Sequence, residues 1–394
     1  MKVSLVCPAS LPATQFGGIM FLCIHIANRL AEKNHRVTIY TTDLDFANNA
    51  NTFNKNLPRE ETINGFKIKR THVWFSLFLF YVNPGMYFQM LKDDHDIIHA
   101  VGVRSFQSLI AALISKKKKI PLIVSDQGGL TTHPDLQRSS LLKRGLIKLQ
   151  NPMIRFVINQ SSKVIVANEY EKEIFLNFCE SSKIEIVRNG IDLDELSSER
   201  MDFKSKYKIA GEFILFVGRF SKVKGIDLLL MAIHKIKDEP EMDNIKTVIM
   251  GVDFGFEKEM FEMINKLDLN DYVLVIKNPS RDEVISAYSQ AKFLVLPSRW
   301  ELSPLTPLEG FAFKKPVISV NTHGIPFTVQ QGENSILTEP ENYQEIGKAI
   351  VELIRNKKKC SEYGMSGYKL VTEICNSKKM ADNTFAIYEK IINR

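Results

Sequence analysis

Two segments carry residue types that could handle a phosphorylated ligand. The first is Gly218-Arg219-Phe220-Ser221-Lys222-Val223-Lys224-Gly225. It follows the apolar run Phe213 to Val217, which reads as a strand, and precedes Ile226 to Ile236, where apolar residues recur at helical spacing. A strand-to-helix turn leaves backbone N–H groups without partners, and a phosphate suits that position. Arg219 offers a planar fork for two phosphate oxygens, and Lys224 adds a compact charge. The GxxxxGK[ST] spacing of a Walker loop is absent. A basic turn of this kind is also common on plain protein surfaces.

The second segment is Pro297-Ser298-Arg299-Trp300-Glu301-Leu302-Ser303-Pro304-Leu305-Thr306-Pro307-Leu308-Glu309-Gly310, again directly after a strand, Phe293 to Leu296. Pro307 suits the first turn of a helix, so a helix is expected from about Thr306. Glu301 then lies in the loop and Glu309 in the opening turns. Carboxylates there can accept hydrogen bonds from sugar hydroxyls, and the loop amides can meet a phosphate. Glu309 could equally serve the dipole of its own helix.

The elements that position these segments alternate regularly. Strands are predicted at Phe213 to Val217, Thr247 to Met250, Val273 to Ile276, Phe293 to Leu296 and Val317 to Val320, with helical patterns between them. Ser280, two residues ahead of Asp282, marks a helix start. The first half shows the same alternation. Val3 to Cys7, Val37 to Tyr40, Ile97 to His99, Leu122 to Val124, Val164 to Val166 and Ile184 to Val187 read as strands, and a helix follows Gly17-Gly18. Strand-helix-strand units of this length favour parallel pairing with right-handed crossovers. The expectation is α/β: two Rossmann-like doubly wound domains with ligand in the cleft between them. Residues 1–200 form the first domain, 201–375 the second, and the amphipathic stretch 376–394 a terminal helix; the polar stretch from Glu195 to Ala210 is the linker candidate.

Composition agrees with two globular domains. The 394 residues are 44% hydrophobic and 25% charged. The five cysteines are widely spaced with no CxxC pair, which suggests neither a zinc cage nor a disulfide framework and makes a reducing cytoplasm the simplest setting. The apolar run at the N-terminus is too short for a signal peptide and is read as strand one. Net charge is +7, with ten basic residues against two acids between 101 and 160. Arg144, Lys148 and Arg155 alternate there with Leu142, Ile147, Ile154 and Phe156, a mixture that suits an anionic membrane surface as well as a solvated basic face. No nucleic-acid partner is expected, because no known module accompanies the charge. From Thr71 to Leu91 no residue is formally charged. Its length approaches the ~20 residues of a membrane span. Asn83-Pro84-Gly85 interrupts it, so a buried or interfacial hairpin of helices is expected.

Together the two chemical segments resemble the retaining glycosyltransferases of family 4, which have the GT-B fold. The resemblance rests on the Gly-Arg-x5-Gly turn at 218 to 225 and the Pro-Ser-x-x-Glu-x7-Glu segment at 297 to 309. Asn189-Gly190-Ile191-Asp192, Lys314-Lys315-Pro316-Val317-Ile318 and Gly17-Gly18-Ile19 support it, in the family's order over most of the chain. The resemblance implies a nucleotide-diphosphate-sugar donor, with UDP or GDP the expected bases, and a glycan or lipid-linked acceptor on the N-terminal half. Arg219 and Lys224 would bind the diphosphate, Glu309 the ribose, and Glu301 with the amides near Ser303, Leu305 and Thr306 the transferred sugar. Gly17 and Gly18 would let the N-terminal loop approach the phosphates. No cofactor and no divalent metal is implied, and no enzymic nucleophile is assigned. The implied setting is the cytoplasm or the cytoplasmic face of the membrane.

The chain departs from the family pattern in places. Leu302-Ser303-Pro304 replaces a glycine-rich loop, Thr322-His323-Gly324 keeps one glycine of a usual pair, and Phe327 stands where an acid is common. Gln127 occupies a place where many members have histidine, and Asp126 or His133 could substitute. His99 follows a strand and is either an acceptor-side residue or a packed one. Two other readings stay open: a sugar-nucleotide epimerase, and a binding module with weakened catalysis.

Overall fold

A computed structural model describes residues 1–393 apart from 14–15, 46–50, 78–79, 127, 129, 131, 133, 135–149 and 198–199. The chain divides into two compact units. Met1–Asn189 with Ser377–Arg394 form unit 1, and Gly190–Asn376 form unit 2.

Unit 1 is built on strands β1 (Lys2–Val6), β2 (Arg36–Thr42), β3 (Glu60–Ile63), β4 (Phe66–Thr71), β7 (Ile97–Val101), β8 (Leu122–Ser125), β9 (Lys163–Val166) and β10 (Ile184–Ile186), in the spatial order β10-β9-β8-β7-β1-β2-β4-β3. All neighbours run parallel except β3, which pairs antiparallel with β4. Strands covered on both faces need apolar residues at successive positions, and every residue of β7 is buried. The helix Gly18–Glu32 turns Met20, Cys23, Ile26, Ala27 and Leu30 inward. It packs beside the terminal helix Ser377–Ile392, which buries Met380, Phe385, Ile387 and Tyr388 in the same core.

The uncharged stretch after β4 is not a hairpin of helices. It forms a two-stranded antiparallel hairpin, β5 (Phe75–Leu77) and β6 (Phe80–Val82), followed by the helix Gly85–Lys92. Asn83-Pro84 separates the extended part from the helical part, because the residue before a proline is driven to extended backbone. Tyr81 is buried, but Trp74, Phe75 and Phe88 are exposed. Among the described residues no helix is long and apolar enough to cross a membrane.

Unit 2 has strands β11 (Glu212–Val217), β12 (Ile245–Gly251), β13 (Val273–Lys277), β14 (Leu294–Leu296), β15 (Val317–Val320) and β16 (Ser335–Thr338) in the order β13-β12-β11-β14-β15-β16. All described pairs are parallel. The chain runs outward from β11 to β13, then returns to the other side of β11 for β14 to β16. The strand order therefore reverses between β11 and β14, the position where open parallel sheets bind ligands beyond their carboxyl ends. Both chemical segments leave from these two strands.

Candidate active site in the C-terminal unit

The turn after β11 is held by backbone hydrogen bonds from Gly218 N to Met250 O (3.0 Å) and from Phe220 N to Val252 O (2.8 Å). It ends at Gly225, whose φ of 68° lies in the left-handed region. A Cβ there would sit 1.9 Å from the carbonyl oxygen of Pro297, so only glycine lets this turn close onto the segment after β14. The Arg299 amide then donates to Val223 O at 2.8 Å. The Arg299 guanidinium grips both oxygens of Asp227 (2.7 and 3.0 Å), both of Glu341 (2.6 and 2.8 Å), and Lys222 O. Burial is the largest influence on Asp227 and works to raise it, but the hydrogen bonds and charges of Arg299 and Lys222 together hold the carboxyl below its ordinary value. Arg299 thus joins the two segments, a role that its position in the sequence did not reveal.

Above this joint the expected site residues fall into three places. Lys224 Nζ lies 2.5 Å from Glu301 Oε1, and Ser298 Oγ donates to the same oxygen at 3.0 Å. Lys224, Ser298, Glu301, Pro304 and Thr306 line one hollow, floored by Phe216 and Leu296 of the sheet. Glu309 lies one turn further along the helix Thr306–Ala312, which has Pro307 in its first turn. Its Oε2 accepts from the Tyr288 hydroxyl at 2.8 Å, and its Oε1 is 2.8 Å from Arg281 Nη2. Arg219 is exposed and stands over the ring of Phe254, 4.9 Å from its centroid. Arg219 has no carboxylate partner among the described residues, which leaves its fork open to an anion.

Arg281, Tyr288 and Glu195 were not foreseen. Arg281 opens the helix Arg281–Gln290, which starts in a capping box between Ser280 and Glu283. That places its guanidinium between Glu309 and Glu195, with the latter held in two hydrogen bonds of 3.0 and 2.9 Å. Burial would lower the Arg281 pKa, but Glu309 and Glu195 raise it further. Burial and the neighbouring Glu309 charge keep the Tyr288 phenol protonated far above its usual range.

Of the departures, Gly324 has a structural role. Its amide donates to Glu301 O at 3.0 Å, and a Cβ there would lie 1.6 Å from Leu302 O. The retained glycine lets this loop pack on the backbone that carries Glu301. Leu302 is buried and half-buried Leu305 packs on the core, so these two positions support the loop; Ser303 between them is half-buried and Phe327 is exposed.

In unit 1, Gly17 precedes its helix with φ 94°, no side chain within 4 Å of its missing Cβ, and no acid in the helix's first turn, which begins at Gly18. Asp126 is buried and accepts from the amides of Val103 (3.0 Å), Gly128 (3.2 Å) and Leu130 (2.7 Å). Burial raises its pKa against these bonds. His99 is packed between Tyr388 Oη (2.6 Å) and Ser125 Oγ (2.9 Å), and burial pushes its pKa down to about 3. Gln127 and His133 lie outside the described residues, as do Arg144 and Lys148 of the basic block. Among the described residues no group of three or more His, Cys, Asp or Glu side chains could hold a metal ion.

The fold and the two joined turns define a two-unit α/β scaffold of the glycosyltransferase GT-B type, and comparison with known proteins gives the family. Residues 197–370 match the model of the glycosyl transferases group 1, and residues 16–195 match that of glycosyltransferase family 4. The chain belongs to the family 4-type glycosyltransferases and has the GT-B fold. A glycosyltransferase of Methanocaldococcus jannaschii, MJ1178, is 28% identical over 66% of this chain and 66% of its own length. Sucrose-phosphate synthase from Thermosynechococcus elongatus superposes with a TM-score of 0.78 at 17% identity, covering 100% of this chain and 99% of that one. HepE from Anabaena, solved with UDP-glucose, gives 0.75 at 18% identity over 99% of this chain and 100% of its own.

Proposed function

We propose that this glycosyltransferase moves a sugar from a nucleoside-diphosphate donor, a UDP- or GDP-sugar, to a glycan or lipid-linked acceptor, with retention at the anomeric carbon and without a divalent metal. The observation that carries this reading is the junction at the β11/β14 reversal. There Lys224 and Glu301 share one hollow and Glu309 is held by Tyr288 and Arg281 on the adjoining helix. Breaking the bond to the sugar leaves negative charge on the diphosphate. In this reading Arg219 and Lys224 are the cations that stabilise it, and such preorganised charge is usually the largest catalytic contribution. Glu309, oriented by two donors, presents its remaining lone pairs to the ribose hydroxyls. Glu301 presents its carboxylate to the sugar. The UDP-glucose held by the Anabaena protein of the same fold supports this donor class.

A melting-temperature panel with UDP, GDP, ADP and their sugar conjugates tests the reading, since a ligand that binds only the folded state raises that temperature. UDP or GDP is expected to give the largest shift, and Arg219→Ala and Glu309→Ala each to remove most of it. Full retention in both variants would place the donor elsewhere. Transfer or slow hydrolysis of the donor in the presence of EDTA supports a metal-free transferase; interconversion of the donor sugar would make the protein an epimerase. A contact with an anionic membrane on its cytoplasmic face is proposed for the basic face that includes Lys116 and Arg155, which lie over the rings of Phe156 and Phe178. Sedimentation with anionic liposomes checks it, and absence of binding at low salt removes it.

A further inference from the structure

A second constellation lies at the carboxyl ends of β2 and β4 in unit 1, and no part of the donor site uses it. Thr42 and Thr71 are the last paired residues of these neighbouring parallel strands. Asp43 and His72 come next on each, so the register brings them face to face. His72 Nδ1 lies 2.6 Å from Asp43 Oδ2, and the Val73 amide donates to Asp43 Oδ1 at 3.1 Å. Asp43 is 1% exposed, whereas the His72 side chain is 27% exposed. A buried carboxylate that accepts a hydrogen bond from Nδ1–H fixes the ring orientation and leaves Nε2 available to bond a hydroxyl. Arg59 Nη1 stands 3.9 Å from the same Asp43 oxygen and is itself half exposed.

The next outward-facing side chain is Trp74. Val73, between His72 and Trp74, is buried, whereas His72 is partly exposed and Trp74 largely exposed. The Trp74 indole is 75% exposed, while its backbone is pinned by a 2.9 Å hydrogen bond to Val82 O. An exposed indole two residues along the chain from an oriented imidazole combines an apolar platform with a directed polar group. A pyranose presents the same combination, an apolar C–H face and a rim of hydroxyls. An aromatic anchor for lipid would need the platform alone; the buried Asp43 has no part in that role.

We propose that His72, oriented by Asp43, and Trp74 form a saccharide-binding subsite, with the sugar face on the indole and one sugar hydroxyl hydrogen-bonded to His72 Nε2. In the glycosyltransferase reading, on which the assignment of this sugar to the acceptor rests, the subsite holds the acceptor's carbohydrate.

The chain has two tryptophans, and Trp300 is buried, so quenching of tryptophan emission by acrylamide reports Trp74. The full chain is titrated with methyl glycosides of glucose, galactose, mannose, N-acetylglucosamine and glucuronic acid at millimolar concentration, with and without UDP. At least one glycoside is expected to protect Trp74 from quenching. Saccharide affinity, read by NMR saturation transfer to the glycoside, is expected to fall at least tenfold in Trp74→Ala and in His72→Ala. The UDP-induced rise in melting temperature should be unchanged in both variants. Because UDP and glycoside are read separately, a wild type that binds glycoside but not UDP counts against the donor site and leaves the subsite standing. The subsite is overturned if no glycoside protects Trp74, if both variants bind glycoside as tightly as wild type, or if only phosphatidylglycerol vesicles shield the indole.

Discussion

Lys224 and Glu301 form a close ion pair inside the hollow at the strand reversal, with Ser298 donating to the same carboxylate oxygen. The lysine that would meet a diphosphate is therefore already answered by the acid that would meet the sugar. An incoming diphosphate must compete with Glu301 for Lys224. Glu301→Gln keeps an oxygen for Ser298 and removes the competing charge, so UDP should bind about threefold to tenfold tighter while sugar transfer falls at least ~100-fold. Lys224→Ala should weaken UDP by roughly 10- to 100-fold, the ~1.5–3 kcal/mol of a hydrogen bond to a charged group. Isothermal titration with UDP separates the two. A Glu301→Gln protein that loses UDP affinity would show that the pair does not oppose the donor.

Glu309 is held from two sides, and the two donors differ in charge. Tyr288→Phe removes a neutral hydroxyl and is expected to weaken nucleoside-diphosphate binding about fivefold, near 1 kcal/mol. Arg281→Gln removes a cation that also ties Glu195, and the expected loss is roughly 10-fold or more. In both variants kcat at saturating donor should stay near wild type while the donor KM rises, because in the proposed reading both residues act through Glu309 on the ribose. Steady-state kinetics with the donor that wins the melting panel read the split. A fall in kcat with KM unchanged would reverse the assignment.

Gly225 and Gly255 provide a matched pair for the joint between the two segments. Both have positive φ, 68° and 90°. An added Cβ at Gly225 meets the Pro297 carbonyl at 1.9 Å, and at Gly255 it meets nothing within 4 Å. Gly255→Ala should cost ~1–2 kcal/mol of backbone strain. Gly225→Ala should cost on the order of 3 kcal/mol or more, because strain and collision add. Differential scanning calorimetry should show the larger drop for Gly225→Ala together with a reduced UDP shift. Equal drops would mean that the turn closes onto Pro297 without needing the glycine.

The sequence made the parallel strands legible because both faces of such strands are covered. β7 and β12 are near-continuous apolar runs, and the strands around them were found at almost their true bounds. β3 and β4 were missed because they lie near one edge of the sheet: β3 buries none of its residues, and β4 alternates Phe66, Ile68 and the buried Arg70 with the less buried Lys67, Lys69 and Thr71. Their signal was the Asn64-Gly65 turn, with φ values of 47° and 85°, a pair that favours a tight hairpin. β16 is four residues and carries Ser335 and Thr338 at its ends. The uncharged stretch after Thr71 misled because aromatic residues suit both periodicities. The two cations and two acids were local to recognisable turns. Arg281 with Glu309, and Asp43 with His72, depend on helix placement and strand register, which spacing along the chain does not encode.

His99 gives a stability prediction whose sign follows from its surroundings. It is buried between Tyr388 and Ser125, and burial pushes its pKa down to about 3. In the unfolded chain it titrates near ~6.5. Above that pH neither state is protonated and the residue contributes no pH dependence. Between the two values the unfolded chain binds a proton that the folded chain refuses, so stability falls on acidification by about 1.4 kcal/mol per pH unit. His99→Gln keeps a polar side chain between the same two hydroxyls and removes the titration. The stability advantage of wild type over this variant, from urea unfolding, should be constant above about pH 7 and smaller by roughly 2 kcal/mol at pH 5. An advantage that stays constant down to pH 5 would mean that His99 takes up its proton in the folded protein, and that its packing between Tyr388 and Ser125 opens to water.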